Sequence, residues 1–307
     1  MVGSRPLGLR VLRLAGGRAS DYKTLRLPDA DMSQSVRSFI ATRGWDLLWL
    51  EDVREADARL DVLLAECRCR GMKVIERPTY VCPWLKLEGT WADVWAARSS
   101  ATRNHLRRKE KKIVSALGPL EIDACAAPGE LGRFLEVARD LYVRSKAGTM
   151  ITSEFLSARG RRFYEEAFAA EFERGRLDVC VLKAGNRPLA FSIAFLNGST
   201  YHYYMAGYDP EFLRSSPGVL HLMRMIERAY SLGMKEFDFM KGDEDYKFQW
   251  SDGQRTLRTI LIGRPGLVGV CAAGAASAML DLKHQVRRWR WLRLVLGLVS
   301  QVQEKGN

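Results

Sequence analysis

Apolar positions along the chain change their period often enough to divide it into strands and helices. "WDLLWL" at Trp45–Leu50 is a short apolar run and reads as a strand. Across Glu55–Arg70, Leu60, Leu63 and Leu64 share a helical face, and Gly71 ends it. "MKVIERP" reads as a second strand, and the strand–helix–strand order predicts an α/β unit. From Trp91 to Ile113 the spacing is helical. A second unit begins near Gly118, with "PLEIDAC" as a strand, Pro128–Tyr142 as a helix, and Ser153–Arg174 as a helix that stops at Gly175. "LDVCVLKAG" and "PLAFSIAFLNG" alternate and meet at the Gly185–Asn186 turn. "TYHYYMAGYD" follows, so an antiparallel meander is expected. Val219, Leu222, Met223, Ile226 and Ala229 recur at helical spacing as far as Gly233, and "EFDFM" supplies one more strand. The expected domains are 1–117 with a basic helix, 118–264, and a tail over 265–307.

Composition narrows the class. A chain of 307 residues with 47% hydrophobic and 27% charged residues has the balance of a folded, soluble protein. The formal charge of +12 implies an anionic partner: a nucleic acid, an acidic lipid surface or a phosphate-rich cofactor. The 6 cysteines are scattered without paired C-x-x-C knuckles, which points to reduced thiols in a cytosolic protein and to no metal site. Arg5, Arg10 and Arg13 interrupt the N-terminus before a signal-peptide core could form. The longest uncharged apolar run, Leu267–Leu280, is shorter than the ~20 residues a bilayer span needs.

Candidate chemistry concentrates in the second unit. In "RSSPGVL", Ser216 suits a helix N-cap and Pro217 the first helical position. The free N–H groups of that helix start, with Gly218 and Arg214 beside them, could hold a pyrophosphate, or the helix could simply be capped. Asp238 lies between Phe237 and Phe239, so on a strand it points away from both rings. If that face is covered too, desolvation would raise its pKa toward that of a general base; an ordinary solvated carboxylate is the other reading. Gly242 breaks the chain into Asp243, Glu244 and Asp245, a loop able to fold over a cleft or to remain a solvated turn. His202, on the central strand, is a further catalytic candidate or a structural histidine. Tyr201, Tyr203, Tyr204 and Tyr208 read as packing. Arg103, Arg107, Arg108, Lys109, Lys111 and Lys112 form either a solvated helix face or an anion-binding one. "VRRWRWLRLVLGLV", Val286–Val299, fits an amphipathic helix at an anionic membrane or a helix docked on protein. No G-x-S-x-G, H-E-x-x-H or Walker loop occurs, which removes most support for hydrolases and nucleotidases.

Meander, phosphate loop, helix and strand in this order resemble the GNAT acyltransferase superfamily. More closely, "RSKAGT" (Arg144–Thr149), "SPGVL" (Ser216–Leu220) and "FDFMKGDEDYKFQW" resemble the CelD-like acyltransferases, and "SSATRNHLRRKEKKI" their basic helix. Fem-type aminoacyl transferases, which are related, carry two such folds in tandem. The resemblance therefore implies an α/β (α+β) protein of tandem GNAT-like domains, each a mixed, mostly antiparallel sheet flanked by helices. It implies an N-acyltransferase with acyl-CoA as co-substrate and no permanently bound cofactor. Asp238, Glu244 or His202 would handle the acceptor proton. Met205 and Ala206 would face the oxyanion, and Arg214, Ser215, Ser216, Gly218 and Val219 the phosphates. Lys146, Tyr246, Lys247 and Trp250 would surround the acceptor or the carrier. The usual loop reads Q/R-x-x-G-x-G/A, whereas this one reads R-S-S-P-G-V. Pro217 removes one N–H, which leaves room for acyl carrier protein or aminoacyl-tRNA as the carrier. Bacterial ceramide synthases belong to the same broad family, so a lipid amine is the first acceptor implied and an amino sugar of envelope polysaccharide the second. The expected location is cytoplasmic, peripheral on the inner membrane face, with nucleic acid not the expected partner. A non-catalytic RNA- or membrane-binding module is the reading from a different class.

Overall fold

A computed structural model of the protein describes residues 1–282 and 285, apart from 18, 26–31, 43 and 147–153. The expected tail helix Val286–Val299, Ala147–Thr149 of "RSKAGT" and Ser153 lie outside the described residues. Along the chain run β1 (Val2–Ser4), β2 (Val11–Arg13), α1 (Met32–Ala41), β3 (Leu47–Arg54), α2 (Ala58–Cys69), β4 (Lys73–Lys86), α3 (Trp91–Ala97) and α4 (Ser100–Leu117). Then come β5 (Leu120–Ala124), α5 (Leu131–Lys146), α6 (Ala158–Glu173), β6 (Leu177–Ala184), β7 (Arg187–Asn197) and β8 (Thr200–Tyr208). The last elements are α7 (Pro217–Ser231), β9 (Glu236–Asp238), α8 (Asp245–Phe248), β10 (Gly253–Gly263) and a helix α9 over 267–282. The chain divides into two compact units, Met1–Tyr80 with Thr256–Asn307, and Val81–Arg255, so the basic helix α4 belongs to the second.

In the first unit, β2 pairs parallel with β3, and β10 antiparallel with β3. Leu48 and Leu50 of β3 pack with Ile260 and Ile262 of β10 under α1 and α2, where Ile40, Leu60 and Leu64 meet them. Leu47, Trp49 and Leu261 point the other way, onto Ala273 and Ala276 of α9. A sheet covered on both faces has no polar side, which is why "WDLLWL" is apolar throughout rather than alternating.

In the second unit the order is β4-β9-β8-β7-β6-β5. β8 and β9 are parallel and the other pairs antiparallel. The expected meander is present as β6, β7 and β8. Helix α7 lays Leu222, Met225, Ile226 and Ala229 on one face of the sheet, and α5 packs on the other face of β7 and β8. This is a GNAT-like fold: a mixed, mostly antiparallel sheet flanked by helices.

Three elements differ from the sequence expectation. Trp91–Ile113 is two helices, not one, because Arg98 turns extended (ψ 145°) and Ser99 accepts a hydrogen bond from the Thr102 N–H, starting α4 afresh. The helix expected from Ser153 starts at Ala158, where Ser157 accepts from the Gly160 N–H at 3.0 Å. β4 continues through Pro78 and Pro83 to Lys86, and β10, which the apolar pattern did not single out, is its neighbour in the sheet order. Among the described residues, no helix is long and apolar enough to cross a membrane.

Candidate active site

β8 and β9 share three register pairs, Thr200–Glu236, Tyr201–Phe237 and His202–Asp238, and then part. Beyond that point the chain after β9 follows β4 instead: Phe239 N–H donates to the Pro83 carbonyl and Gly242 N–H to that of Val81, each at 3.0 Å. β8 stays with β7 as far as Tyr208. Just past His202 the register slips, so that Tyr203 and Tyr204 stand opposite Ala194 alone. A bulge of this kind re-aims the backbone of the strand that carries it. Met205 and Ala206 follow, paired with Ile193 and Ser192 on β7 and with no β9 residue opposite. Of two consecutive strand residues, one directs its N–H toward the partner strand and the other away from it. One of these two donors is therefore aimed to the side where the strands have parted.

Side chains divide between the faces at this junction. Tyr201 and Phe237 stack at 5.1 Å and face the core under α7, with Phe239 4.9 Å from Phe237. On the opposite face lie His202, Asp238, Glu236 and Arg255. Asp238 is fully buried; its Oδ1 accepts the Met240 N–H at 2.8 Å. Its Oδ2 is 3.6 Å from His202 Nδ1 and 3.5 Å from Arg255 Nη1. Arg255 also donates to Glu236 at 3.0 Å and lies 5.1 Å from the ring of Trp84. The second face of Asp238 is thus covered, and its near neighbours are a guanidinium and an imidazole rather than apolar groups alone. His202 keeps 12% of its side chain exposed, so it is the member of the pair that solvent or a substrate can reach.

The loop that enters α7 is fixed by a buried carboxylate. Asp209 closes the turn Pro210–Ser215 by accepting from the Glu211 N–H at 3.2 Å, and it receives Arg144 at 2.7 Å and Arg187 at 3.2 Å. Burial, the largest influence, pushes its pKa up, but the Glu211 N–H and the two guanidinium groups outweigh it and the net direction is down. Arg144 belongs to "RSKAGT", so this contact joins that motif to the "RSSPGVL" loop.

Ser216 does not cap α7 with its side chain. It sits in the left-handed region (φ 52°, ψ 52°), and its carbonyl accepts from Val219 and Leu220 at 3.1 and 3.2 Å. With Pro217 lacking an N–H, the start of α7 presents chiefly the Gly218 amide. A Cβ on Gly218 would lie 3.1 Å from the Tyr208 ring, so the helix start rests on the end of β8. The Arg214 side chain is exposed, and Lys109 of α4 donates to the Arg214 carbonyl, which brings the basic helix alongside this loop.

Asp243, Glu244 and Asp245 of the acidic stretch are all exposed, and α8 begins at Asp245. Glu244 pairs with Lys247 at 2.8 Å, and Lys247 Nζ also donates to the Lys241 carbonyl at 2.9 Å. Lys247 is buried and committed to closing this loop, not free for an acceptor. Glu244 is half exposed. Tyr246 has its hydroxyl pKa raised, first by burial and then by neighbouring Glu244 and Tyr208. It also lies close to buried Tyr203. Trp250, expected near a substrate, is 1% exposed: it stacks on Trp91 at 6.0 Å, with Arg98 5.1 Å away, and serves the core. Lys146 lies 5.7 Å from the ring of Tyr142, at the end of α5.

Sequence reasoning missed Asp209, Arg144 as its partner, Arg187 and Arg255. An Asp-Pro pair is a turn signal and could have drawn attention to Asp209. Nothing local could have paired Arg255 with Asp238. Among the described residues, no cluster of His, Cys, Asp and Glu could hold a metal ion.

Residues 100–248 match the family model of the acetyltransferase (GNAT) domain. The chain carries a GNAT-type acetyltransferase domain. The match takes in α4, the meander, the loop into α7, and β9 with its acidic extension, and it makes the protein an acyltransferase. Solved structures share the fold at low identity. The C-terminal DUF2156 domain of a putative lysylphosphatidylglycerol synthetase from Agrobacterium fabrum is 12% identical (TM-score 0.56), covering 92% of this chain and 83% of its own. A conserved protein of unknown function from Bacteroides thetaiotaomicron is 14% identical (TM-score 0.54), covering 79% of each chain. FemX is 11% identical (TM-score 0.50), covering 82% of this chain and 80% of its own. No curated protein matches the chain. In this GNAT-type domain the parting of β8 and β9, the bulge and the His202–Asp238 pair all lie within the matched residues.

Proposed function

We propose that the GNAT-type domain is an N-acyltransferase that moves an acyl group from a thioester carrier, acyl-CoA or acyl carrier protein, to an amine, with His202 as the general base. The observation that carries this reading is the position of His202 and Asp238: they are the last pair before the strands part, so a proton acceptor borders the place where two substrates can meet. Asp238 is too buried to touch an acceptor and orients the imidazole instead, as a carboxylate does behind a histidine base. Glu244 is held by Lys247 and is assigned to the loop, not to the proton.

The neutral amine attacks the thioester carbonyl carbon, and His202 takes the proton that the nitrogen sheds as the C–N bond forms. The carbonyl oxygen becomes an oxyanion, which the outward N–H at Met205 or Ala206 stabilises. Collapse breaks the C–S bond, and the proton held on His202 leaves with the thiolate. The Gly218 amide and exposed Arg214 receive the carrier's phosphate, and Tyr246 and Lys146 border the acceptor. The basic, tryptophan-bearing sequence Val286–Val299 and the resemblance to bacterial ceramide synthases favour a long-chain lipid amine as acceptor over an amino sugar.

Purified protein is assayed for thiol release from acyl-CoA with a sphingoid base and with an amino sugar. His202→Gln is expected to lower kcat by about 10²–10³, as loss of a general base does. An unchanged rate in His202→Gln refutes the assignment. A second reading draws on the loop itself, where Pro217 and the left-handed Ser216 leave few amides while basic α4 lies alongside. That arrangement suits a polyanionic carrier such as aminoacyl-tRNA. Turnover with charged tRNA, absent with acyl-CoA, would select it.

A further inference from the structure

We propose that α9 docks the protein on an anionic phospholipid surface through its outward face. This inference concerns the first unit only and stands whether or not the transfer chemistry above is right. An ordinary surface helix turns its large apolar residues inward and its charges outward. Helix α9 does the reverse. Its inner face is made mostly of small residues, Gly269, Ala273, Ala276 and Ser277, all buried against the sheet, with half-buried Leu280 packed beside them. The fit is close enough that a Cβ on Gly269 would collide with the backbone of Arg264. Its outer face carries the large ones: Leu267 is 84% exposed, Val268 63%, Leu282 61%, Val270 42% and Met279 39%. The other exposed positions are cysteine, glycine and alanine, apart from one aspartate. The one charged side chain among the described outward positions of α9, Asp281, lies 3.7 Å from Arg77.

So continuous an apolar face costs free energy in water along the whole helix and is relieved by a second apolar medium. The sequence that follows indicates which one. After Leu282 come Lys283, Arg287, Arg288, Arg290 and Arg293, with Trp289 and Trp291 among them, and Glu304 is the only acid. Cations beside an apolar face match anionic headgroups over acyl chains, and tryptophan favours that boundary. A second copy of this chain would bring the same cations together, which charge repulsion opposes.

The test uses the full chain with vesicles of phosphatidylglycerol and of phosphatidylcholine, read by co-sedimentation. Wild type is expected to bind the anionic vesicles, and Leu267→Glu with Val268→Glu to weaken that binding at least tenfold. Both residues are too exposed for the change to unfold the protein, and a matching thermal melt confirms it. A solvent-sensitive fluorophore on exposed Cys271, with Cys69 replaced by serine, is expected to shift to the blue on adding anionic vesicles. Three outcomes overturn the proposal. Wild type fails to bind anionic vesicles at low salt; or the double variant binds as well as wild type, leaving the basic C-terminal segment sufficient alone; or the label on Cys271 shows no blue shift when anionic vesicles are added.

Discussion

His221→Gln should make the protein less sensitive to mild acid. His221 lies in α7 just after the Arg214–Gly218 turn, fully buried, with Nε2 2.9 Å from Ser192 Oγ on β7. Its Nδ1 is buried without a hydrogen-bond partner among the described residues. Burial pushes its pKa down from 6.5 to about 3, with Asp178 opposing only in part. The sign follows from linkage. Below pH 6.5 the unfolded chain binds a proton that the folded protein refuses until about pH 3, so this contribution is intact above pH 6.5 and is lost as the pH falls through that window. At ~1.36 kcal/mol per pH unit the full loss approaches about 5 kcal/mol, of which about 2 kcal/mol is already gone at pH 5. Urea unfolding of both proteins at pH 7 and pH 5 isolates the effect, because every other titrating group is common to the two. Wild type should lose about 2 kcal/mol more than the variant between these pH values. Equal losses would show that the imidazole accepts its proton in place, and that α7 is not locked to β7 by a neutral ring.

Arg144→Ala removes the 2.7 Å partner of buried Asp209 and leaves Arg187 to hold the Pro210–Ser215 turn. The KM for the thioester donor should rise about tenfold while kcat changes little, with Arg144→Lys recovering part of the loss; initial-rate kinetics over donor concentration checks this. Arg228→Met takes away both 2.8 Å bonds to buried Asp178 and leaves that carboxylate with Tyr201 and the Cys180 thiol. A buried charge deprived of its partner costs about 3–5 kcal/mol, measurable by denaturant titration, and adding Asp178→Asn should restore much of it.

The second unit was the more legible in sequence because its strands announce themselves. β7 and β8 are bounded by turns, α7 shows an unbroken helical period, and Asp238 between two phenylalanines already indicates two different faces. What stayed hidden depends on partners distant in sequence. Arg255 reaches Asp238 and Glu236 only because β4 and β9 lie side by side, with Trp84 opposite Asp238. Trp250 among charged residues resembles a ligand contact, yet stacking on Trp91 buries it. Ser216 has the composition of a cap but takes a left-handed backbone, and composition carries no φ. In the first unit, β1 and β2 are too short for any period to emerge, and β10 draws its place in the sheet from β3, far back along the chain.

That long return has a consequence during synthesis. Trp49 and Leu47 leave the ribosome early, but the residues that cover them, Leu261, Ala273 and Ala276, are translated only after the entire Val81–Arg255 unit. Until then the nascent chain exposes an unfinished sheet edge, a natural ligand for chaperones, while the inserted unit can fold independently. Deletions that stop short of α9 should therefore harm the beginning of the protein first, and a ribosomal pause after Arg255 would lengthen the interval in which that open edge can aggregate.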